Sequence, residues 1–301
     1  MLLLSYDGLI RDELNINKIE GAGAIYQRIV SLLALAKKHG LQFIHKRVNI
    51  GHNDTNMDFK LYDDLWDEFF NFKKLELSED EKKIYKEIKV PILTDDILKQ
   101  ILQNKKVKYI IKIKNPYLIT YNNPNEYYSI IQDEIIERYD ITNKNRALIY
   151  NLEKFKNKIN IAIHIRVFND LDICGDNIDY LDNYNKGITT RFYLDCNFYI
   201  KLINKLKNKY KKSEIHIFSQ SKYFDNKFKD LKLLDFLTFH LDMDNFNTFH
   251  HLCKADVLVL GLSSFSHLAG YYNKNEVIYL YYEYHSKALN KWIDVNEILN
   301  E

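Results

Sequence analysis

Two short stretches of this chain carry side chains whose types and spacing suit them to hold an anionic group. The first is INIAIHIRVFND, where His164 and Arg166 follow an alternating apolar run through Ile159, Ile161, Ile163 and Ile165. Arginine supplies a fixed charge and a planar fork that grips two oxygens at once, which lysine does not. An ion pair with Asp170 or Asp172 is the competing, structural use of the same side chain. The second stretch is ADVLVLGLSSFSHLAGYY, from Ala255 to Tyr272. Val257 to Leu260 read as a strand buried on both faces, Gly261 ends it, and Phe265, Leu268, Ala269 and Tyr272 recur on one helical face. Ser263 or Ser264 is the expected N-cap. Beyond it the N–H groups of Ser264, Phe265 and Ser266, with the helix dipole behind them, offer a site for phosphate. Capping of a structural helix is the plainer use of the same serines.

These residues need strands to deliver them, and the chain supplies a succession of strands and helices. Leu2 to Leu4 open it; a helix is predicted from Ala24 to about Lys38, ended by Gly40, and Leu41 to Ile44 read as the next strand. Gly21 and Gly23, just before that helix, let backbone approach a ligand or simply form a turn. His45 and His52 follow the second strand. Leu65, Trp66, Phe69 and Phe70 give a helix in Tyr62 to Phe72 an apolar face; Ser78 with Glu81 spells a capping box, and Thr94 precedes a further helix. Val107 to Ile113 is strand-like, NPYLITYNNPN breaks the pattern, and a helix resumes through Tyr128, Ile131 and Ile135. A domain boundary is expected near Tyr150, beside the polar KFKNK. Past it, Ile200, Ile203, Leu206 and Tyr210 line a helix. Ile215 to Ser219 form a strand that leaves Ser219 and Gln220 at its end, and another strand is expected near Phe239 to Leu241, with Asp244 in the loop after it. Strand and helix alternating in this way mark an α/β fold with parallel sheets.

Composition narrows the function. A net charge of +2 over 301 residues, with lysines matched by acids, argues against nucleic acid as a partner. Three cysteines, Cys174, Cys196 and Cys253, have neither metal-ligand spacing nor an even framework, which favours a reducing, cytoplasmic setting. MLLLSYDGL is too short and too soon acidic for a signal peptide, and no apolar run reaches transmembrane length.

HIR at a strand end, then IFSQS, then TFHHLCKADVLVLGLSSFSHLAG resemble the C-terminal half of the fucosyltransferase superfamily. GAGAIYQRIVSLLALAKKHG resembles the glycine-rich helix start near its amino terminus. The resemblance implies a GT-B type fold: two facing Rossmann-like domains, parallel sheets with helices on both faces. Residues 1–150 would form the acceptor side and residues 151–301 the nucleotide-sugar domain, with the last helix a candidate to pack back on the first. It further implies inverting transfer of fucose from GDP-fucose to a glycan or other hydroxyl acceptor, without a metal ion or other cofactor. This sequence departs from HxRRGD, having Val167, Phe168 and Asn169 where relatives carry Arg, Gly and Asp. It departs from GxGNQ as well, since Ala24, Ile25 and Tyr26 intervene before Gln27. Those departures leave the sugar and base of the donor open, and they keep a second reading in view: a nucleotide- or sugar-binding module, or an inactive homologue.

Glycosyl transfer sets the expected roles. Negative charge grows on the leaving diphosphate as the glycosidic bond stretches, and Arg166 with the Ser263, Ser264, Phe265 and Ser266 turn is placed to meet it. His164 is a candidate for phosphate or base; Ser219, Gln220 and Asp244 for base and ribose; Gly21 and Gly23 for a ligand in the first domain. The general base is open among His45, His52, Asp170 and Asp7, with no metal ligands assigned.

Overall fold

The computed structural model describes residues 2–6, 21–48, 50, 57–91, 93–103, 107–113, 116, 120–167, 194–222, 224–280 and 287–301. It divides into two units, residues 1–146 with 283–290, and residues 147–282 with 291–301. Among the described residues no helix is long and apolar enough to cross a membrane.

Unit 1 contains β1 (Leu2–Tyr6), α1 (Ala22–Lys38), β2 (Gln42–Phe43), α2 (Phe59–Phe69), α3 (Glu79–Lys82), β3 (Lys86–Val90), α4 (Asp95–Leu102), β4 (Tyr109–Ile113), α5 (Pro124–Tyr128) and α6 (Gln132–Asn143). Its four strands run parallel in the order β2-β1-β4-β3. α1 forms because an apolar face runs from Ile25 to Ala36, all buried, and it stops where Gly40 takes φ +64°. Ser78 and Glu81 make the expected capping box at α3, and the Thr94 side chain accepts from the Ile97 N–H at α4. α2 ends at Phe69, short of the expected Phe72, because Asn71 adopts φ 55° and turns the chain. β3 was not anticipated: KEIKV is mostly exposed and lies at the sheet edge, so it lacks the apolar run that marks a buried strand.

Unit 1 also buries polar groups, two sets of which satisfy one another. Ser31, Thr120 and Tyr128 hydroxyls close a triangle with separations of 2.7 to 3.0 Å. His45 Nε2 lies 2.9 Å from Asp67 Oδ1, and the Tyr26 hydroxyl donates to the same oxygen. Phe72 stacks on the His45 ring at 5.7 Å. His45 and Asp67 are each 1% exposed.

Unit 2 contains β5 (Ile159–His164), α7 (Cys196–Lys209), β6 (Ser213–Ser219), α8 (Phe224–Lys227), β7 (Leu237–Leu241), α9 (Asn245–Lys254), β8 (Val257–Val259), α10 (Ser264–Tyr272), β9 (Glu276–Tyr279), β10 (Ile293–Asp294) and α11 (Val295–Asn300). Its six strands are parallel in the order β10-β9-β8-β5-β6-β7. The chain builds outward from β5 to β7, then returns to the other side of β5 with β8 and builds outward again. That is the doubly wound order, with its switch point between β5 and β8. Ile161, Ile163, Ile215, Ile217, Val257, Val259 and Ile278 form one face of the sheet and pack with Leu202, Ile203 and Leu206 of α7 and with Val295 and Ile298 of α11. On the other face His267 of α10 meets the Tyr279 ring, and His251 of α9 meets Phe218. Helices therefore cover both faces.

The two units divide after Arg146, a little before Tyr150, which is buried in unit 2 with its hydroxyl donating to the carbonyl of His251. Val295 and Ile298 of α11 belong to the core of unit 2.

Replacing Asp67 by Ala removes the buried acceptor that His45 and the Tyr26 hydroxyl share. Loss of a buried hydrogen-bond partner costs about 1–3 kcal/mol, and a loss of at least that size is expected in urea unfolding. Asp67→Asn keeps an acceptor oxygen and should lose less. Equal, small losses in both variants would mean that the cluster contributes little to stability.

Candidate functional site

The site of interest lies in unit 2, at the carboxyl ends of β5 and β8, where the strand order switches, the position at which open α/β sheets bind ligands. The register aligns Ile161 with Val257 and Ile163 with Val259, which brings the residues after His164 beside those after Leu260. The approach is very close. A Cβ added at Gly261 would lie 2.3 Å from the His164 carbonyl oxygen and 3.0 Å from His164 Nδ1, so only glycine fits there.

Past Gly261 the serines divide their work. The Ser263 side chain caps α10 by accepting from the Phe265 N–H at 3.3 Å. Ser266 Oγ accepts from the Gly261 N–H at 3.0 Å and lies 3.3 Å from the Gly261 carbonyl oxygen and 3.2 Å from that of Ser263. Ser263 and Ser266 are both buried, and their hydroxyls build the turn. Ser264 and Phe265 are half-buried and line the start of the helix. The cap takes up the Phe265 N–H, and half-buried Ser264 begins the helix ahead of it.

His164 stands opposite. Its ring lies 5.8 Å from that of Phe265, and its Nδ1 is buried without a hydrogen-bond partner among the described residues. Burial, reinforced by the positive charge of Arg166, pulls its pKa down to about 3, so the imidazole is neutral at physiological pH. Arg166 follows at the strand end and is exposed. Val167 turns back and packs into the apolar core of unit 2. On the other side of β5, Ser219 Oγ donates to the Ile165 carbonyl at 2.7 Å and ties the end of β6 to that of β5, while Gln220 is exposed just beyond.

The structure thus gathers His164, Arg166, Ser219, Ser263, Ser264, Phe265 and Ser266 around adjacent strand ends of one sheet. Asp244 is differently used: it is the N-cap of α9, its carboxylate accepting from the Asn247 N–H at 3.0 Å and from the Asn247 amide at 2.5 Å. Sequence reading missed Asp242, which takes φ 57° and accepts from the Ser221 N–H at 2.9 Å, shaping the loop that carries Gln220. A residue tolerant of the left-handed region at the end of a strand was the available signal.

Gly21 and Gly23 belong to unit 1. Gly21 is the N-cap of α1, with no side-chain cap bond, and Gly23 is buried in the first turn. Gln27, one turn on, is buried with its Nε2 unpartnered among the described residues. His45, one of the four candidates for general base, is sealed in the core against Asp67 and in that position does not meet an acceptor hydroxyl. His45, Asp67 and Glu76 do place one ligand atom each within 4.8 Å of one another, a set able to approach a cation, although Asp67 Oδ1 is already engaged by His45 and Tyr26. Asp7, His52 and Asp170 lie outside the described residues.

No protein-family model matches the chain, and no curated protein matches it. Solved structures do. The crystal structure of POFUT1 in complex with GDP (crystal-form-III) is 12% identical over 90% of this chain and 94% of that one, with a TM-score of 0.42. POFUT1 in complex with GDP-fucose (crystal-form-II) is 12% identical over 97% of each chain, with a TM-score of 0.41. Likeness of this degree assigns no residue a role.

Gly261→Ala tests the tight approach directly. The new methyl has to push apart β5 and the α10 turn against backbone, and overpacking of that kind costs about 1–3 kcal/mol. A clear drop in melting temperature is expected; wild-type melting would mean that the turn relaxes freely and that the contact does not set the geometry of the site.

Proposed function

We propose that the chain is a glycosyltransferase that uses a nucleoside diphosphate sugar as donor. The observation that carries this reading is the meeting of Arg166, neutral His164 and the α10 N-terminus at the switch point of a doubly wound sheet. Three features there suit a diphosphate: a fixed cation, a neutral imidazole beside the turn, and backbone N–H groups at the positive end of a helix. The resemblance of HIR, IFSQS and SSFSHLAG to the fucosyltransferase superfamily supports transfer as the reaction and GDP-fucose as the donor to try first.

In this mechanism the diphosphate leaves as an anion while the sugar ring gains positive charge, and an acceptor hydroxyl attacks from the opposite face with inversion. Arg166 and the α10 start stabilise the leaving group without a metal ion. Preorganised donors of this kind are typically worth roughly 3–4 kcal/mol each. Because charge on the outer phosphate grows along the reaction, an interaction that grows with it lowers the barrier more than it tightens binding. The acceptor is a glycan or another hydroxyl compound, and the setting is intracellular, as the cysteine usage suggests. Val167 favours a second reading. Where related sequences carry another arginine, this side chain is committed to the core, which suits a module that binds the nucleotide without turning it over.

A thermal-shift panel of GDP, UDP, dTDP and CMP separates these readings. Saturation at a hundred times the dissociation constant adds about 2.7 kcal/mol of stability, which is readily seen. No shift with any nucleotide would overturn both; a shift without donor turnover would favour the binding module. For an active enzyme, turnover should survive EDTA. Arg166→Lys should lower it by on the order of a hundredfold, about 2.7 kcal/mol in barrier, with a smaller effect on nucleotide affinity. Normal turnover in that variant would make Arg166 a structural residue.

A further inference from the structure

A second cluster of titratable groups lies away from the strand ends, under the first residues of unit 2. His216 on β6, His240 on β7 and His251 on α9 gather beneath the segment that carries Ile149, Tyr150 and Phe155. The segment is tied to this cluster by both backbone and rings. The Ile149 N–H donates to His251 Nε2 at 2.9 Å, and the Tyr150 hydroxyl donates to the His251 carbonyl at 3.1 Å. The Tyr150 ring lies 5.0 Å from His216 and 5.3 Å from His251, and Phe155 meets His216 edge-on at 4.8 Å.

The hydrogen bonds fix where each proton sits. His251 Nε2 accepts from Ile149, so its proton is on Nδ1, which donates to the Asn247 carbonyl at 2.7 Å. Asn160 Nδ2 donates to the Lys158 carbonyl at 3.1 Å, which turns Asn160 Oδ1 towards His216 Nε2 at 3.2 Å as an acceptor. His216 therefore carries its proton on Nε2, and its Nδ1 accepts from His240 Nε2 at 3.0 Å. A second proton on His251 would set N–H against N–H at Ile149, so His251 holds the segment only while neutral. His216 and His240 are held neutral by burial beneath the Tyr150 and Phe155 rings.

We propose that His216, His240 and His251 form an acid-sensitive latch that holds residues 149–155 on unit 2 and lets them lift away when the histidines take up protons. The surrounding charges are few. Lys154, in the segment itself, opposes protonation of His216 and His240, while Asp244 at the start of α9 favours it at His251. Glu214, next along the same face of β6, is paired with Lys158, and Asp256 and Cys253 face Tyr150. Burial dominates: it holds His216 down to about 3 and His240 to about 4, and lowers His251 as well. Once the segment lifts, the rings return towards their ordinary value near 6.5. The opened form then binds more protons than the closed form at every pH from about 6.5 down to about 3, so opening grows as pH falls through that window and is indifferent to pH above it.

Hydrogen exchange of the full chain, read by mass spectrometry at pH 7.5 and pH 4.5 and corrected for intrinsic rates, tests this. The opening constant of peptides covering residues 147–158 should rise roughly a hundredfold for each of His216 and His240 released, with a further rise in the same direction from His251, while peptides from α1 change far less. His251→Gln offers Ile149 an acceptor that does not titrate, and should reduce the acid response. If that variant does not fold, His240→Gln, at the half-exposed end of the chain, should do the same. Exchange in residues 147–158 that is unaffected by acid, that rises no more than in α1, or that stays as acid-sensitive in the folded variant as in wild type would overturn the latch.

Discussion

The constraint on which the end of unit 2 depends is between two pieces of backbone. β5 and β8 pair in register as far as Ile163 and Val259, and the chain after β8 then passes so near the His164 carbonyl that a methyl group at Gly261 has no room. Everything at this end of unit 2 follows from that approach. It sets where α10 begins, since Ser266 can reach back to Gly261 only from the first turn of the helix. It encloses one nitrogen of His164 and so holds that ring neutral. It also leaves Arg166 as the first exposed residue after β5. Strain is not required, because glycine accepts the position without cost.

Much of this was legible in the sequence because the signals were local. The alternation of Ile159, Ile161 and Ile163 describes the central strand, the apolar run from Val257 describes its partner, and the caps at Ser78, Thr94 and Ser263 all form. What escaped were features set by distant partners. A serine in SSFS reads equally well as ligand donor or turn builder, and only the position of Gly261 assigns Ser266 to the turn. His45 reads as a strand-end histidine until Asp67, a full helix away in sequence, proves to be its partner. Tyr150 sits beside a polar run and looks like linker, yet histidines contributed by β6 and α9 bury it. β9 and β10 were missed because each is short, and β10 gains its place only by pairing with β9.

Buried polar groups recur in both units, and they share one economy. The hydroxyl triangle of Ser31, Thr120 and Tyr128, the His45, Asp67 and Tyr26 cluster, and the His216 chain are each closed by hydrogen bonds within the protein. A group closed in this way adds little net stability over an apolar filling of the same shape, but one wrong neighbour leaves a donor stranded at substantial cost. Such clusters therefore specify which packing is adopted more than they strengthen it. They also make these sites intolerant of substitutions that an apolar core would absorb.

The edge strand β3 bears on how the molecule behaves in a crowded solution. Among the described residues it pairs with β4 alone, which makes it a sheet edge, the kind of backbone to which an extended chain can add. KEIKV answers with Lys86, Glu87 and Lys89 along that strand, with Glu87 held by Lys112 of β4. An incoming strand would have to strip water from these charged side chains and then lie among them, which disfavours recruitment into an extended intermolecular sheet. The features that hid β3 from a reading of apolar pattern are thus the ones that keep the protein from polymerising through it.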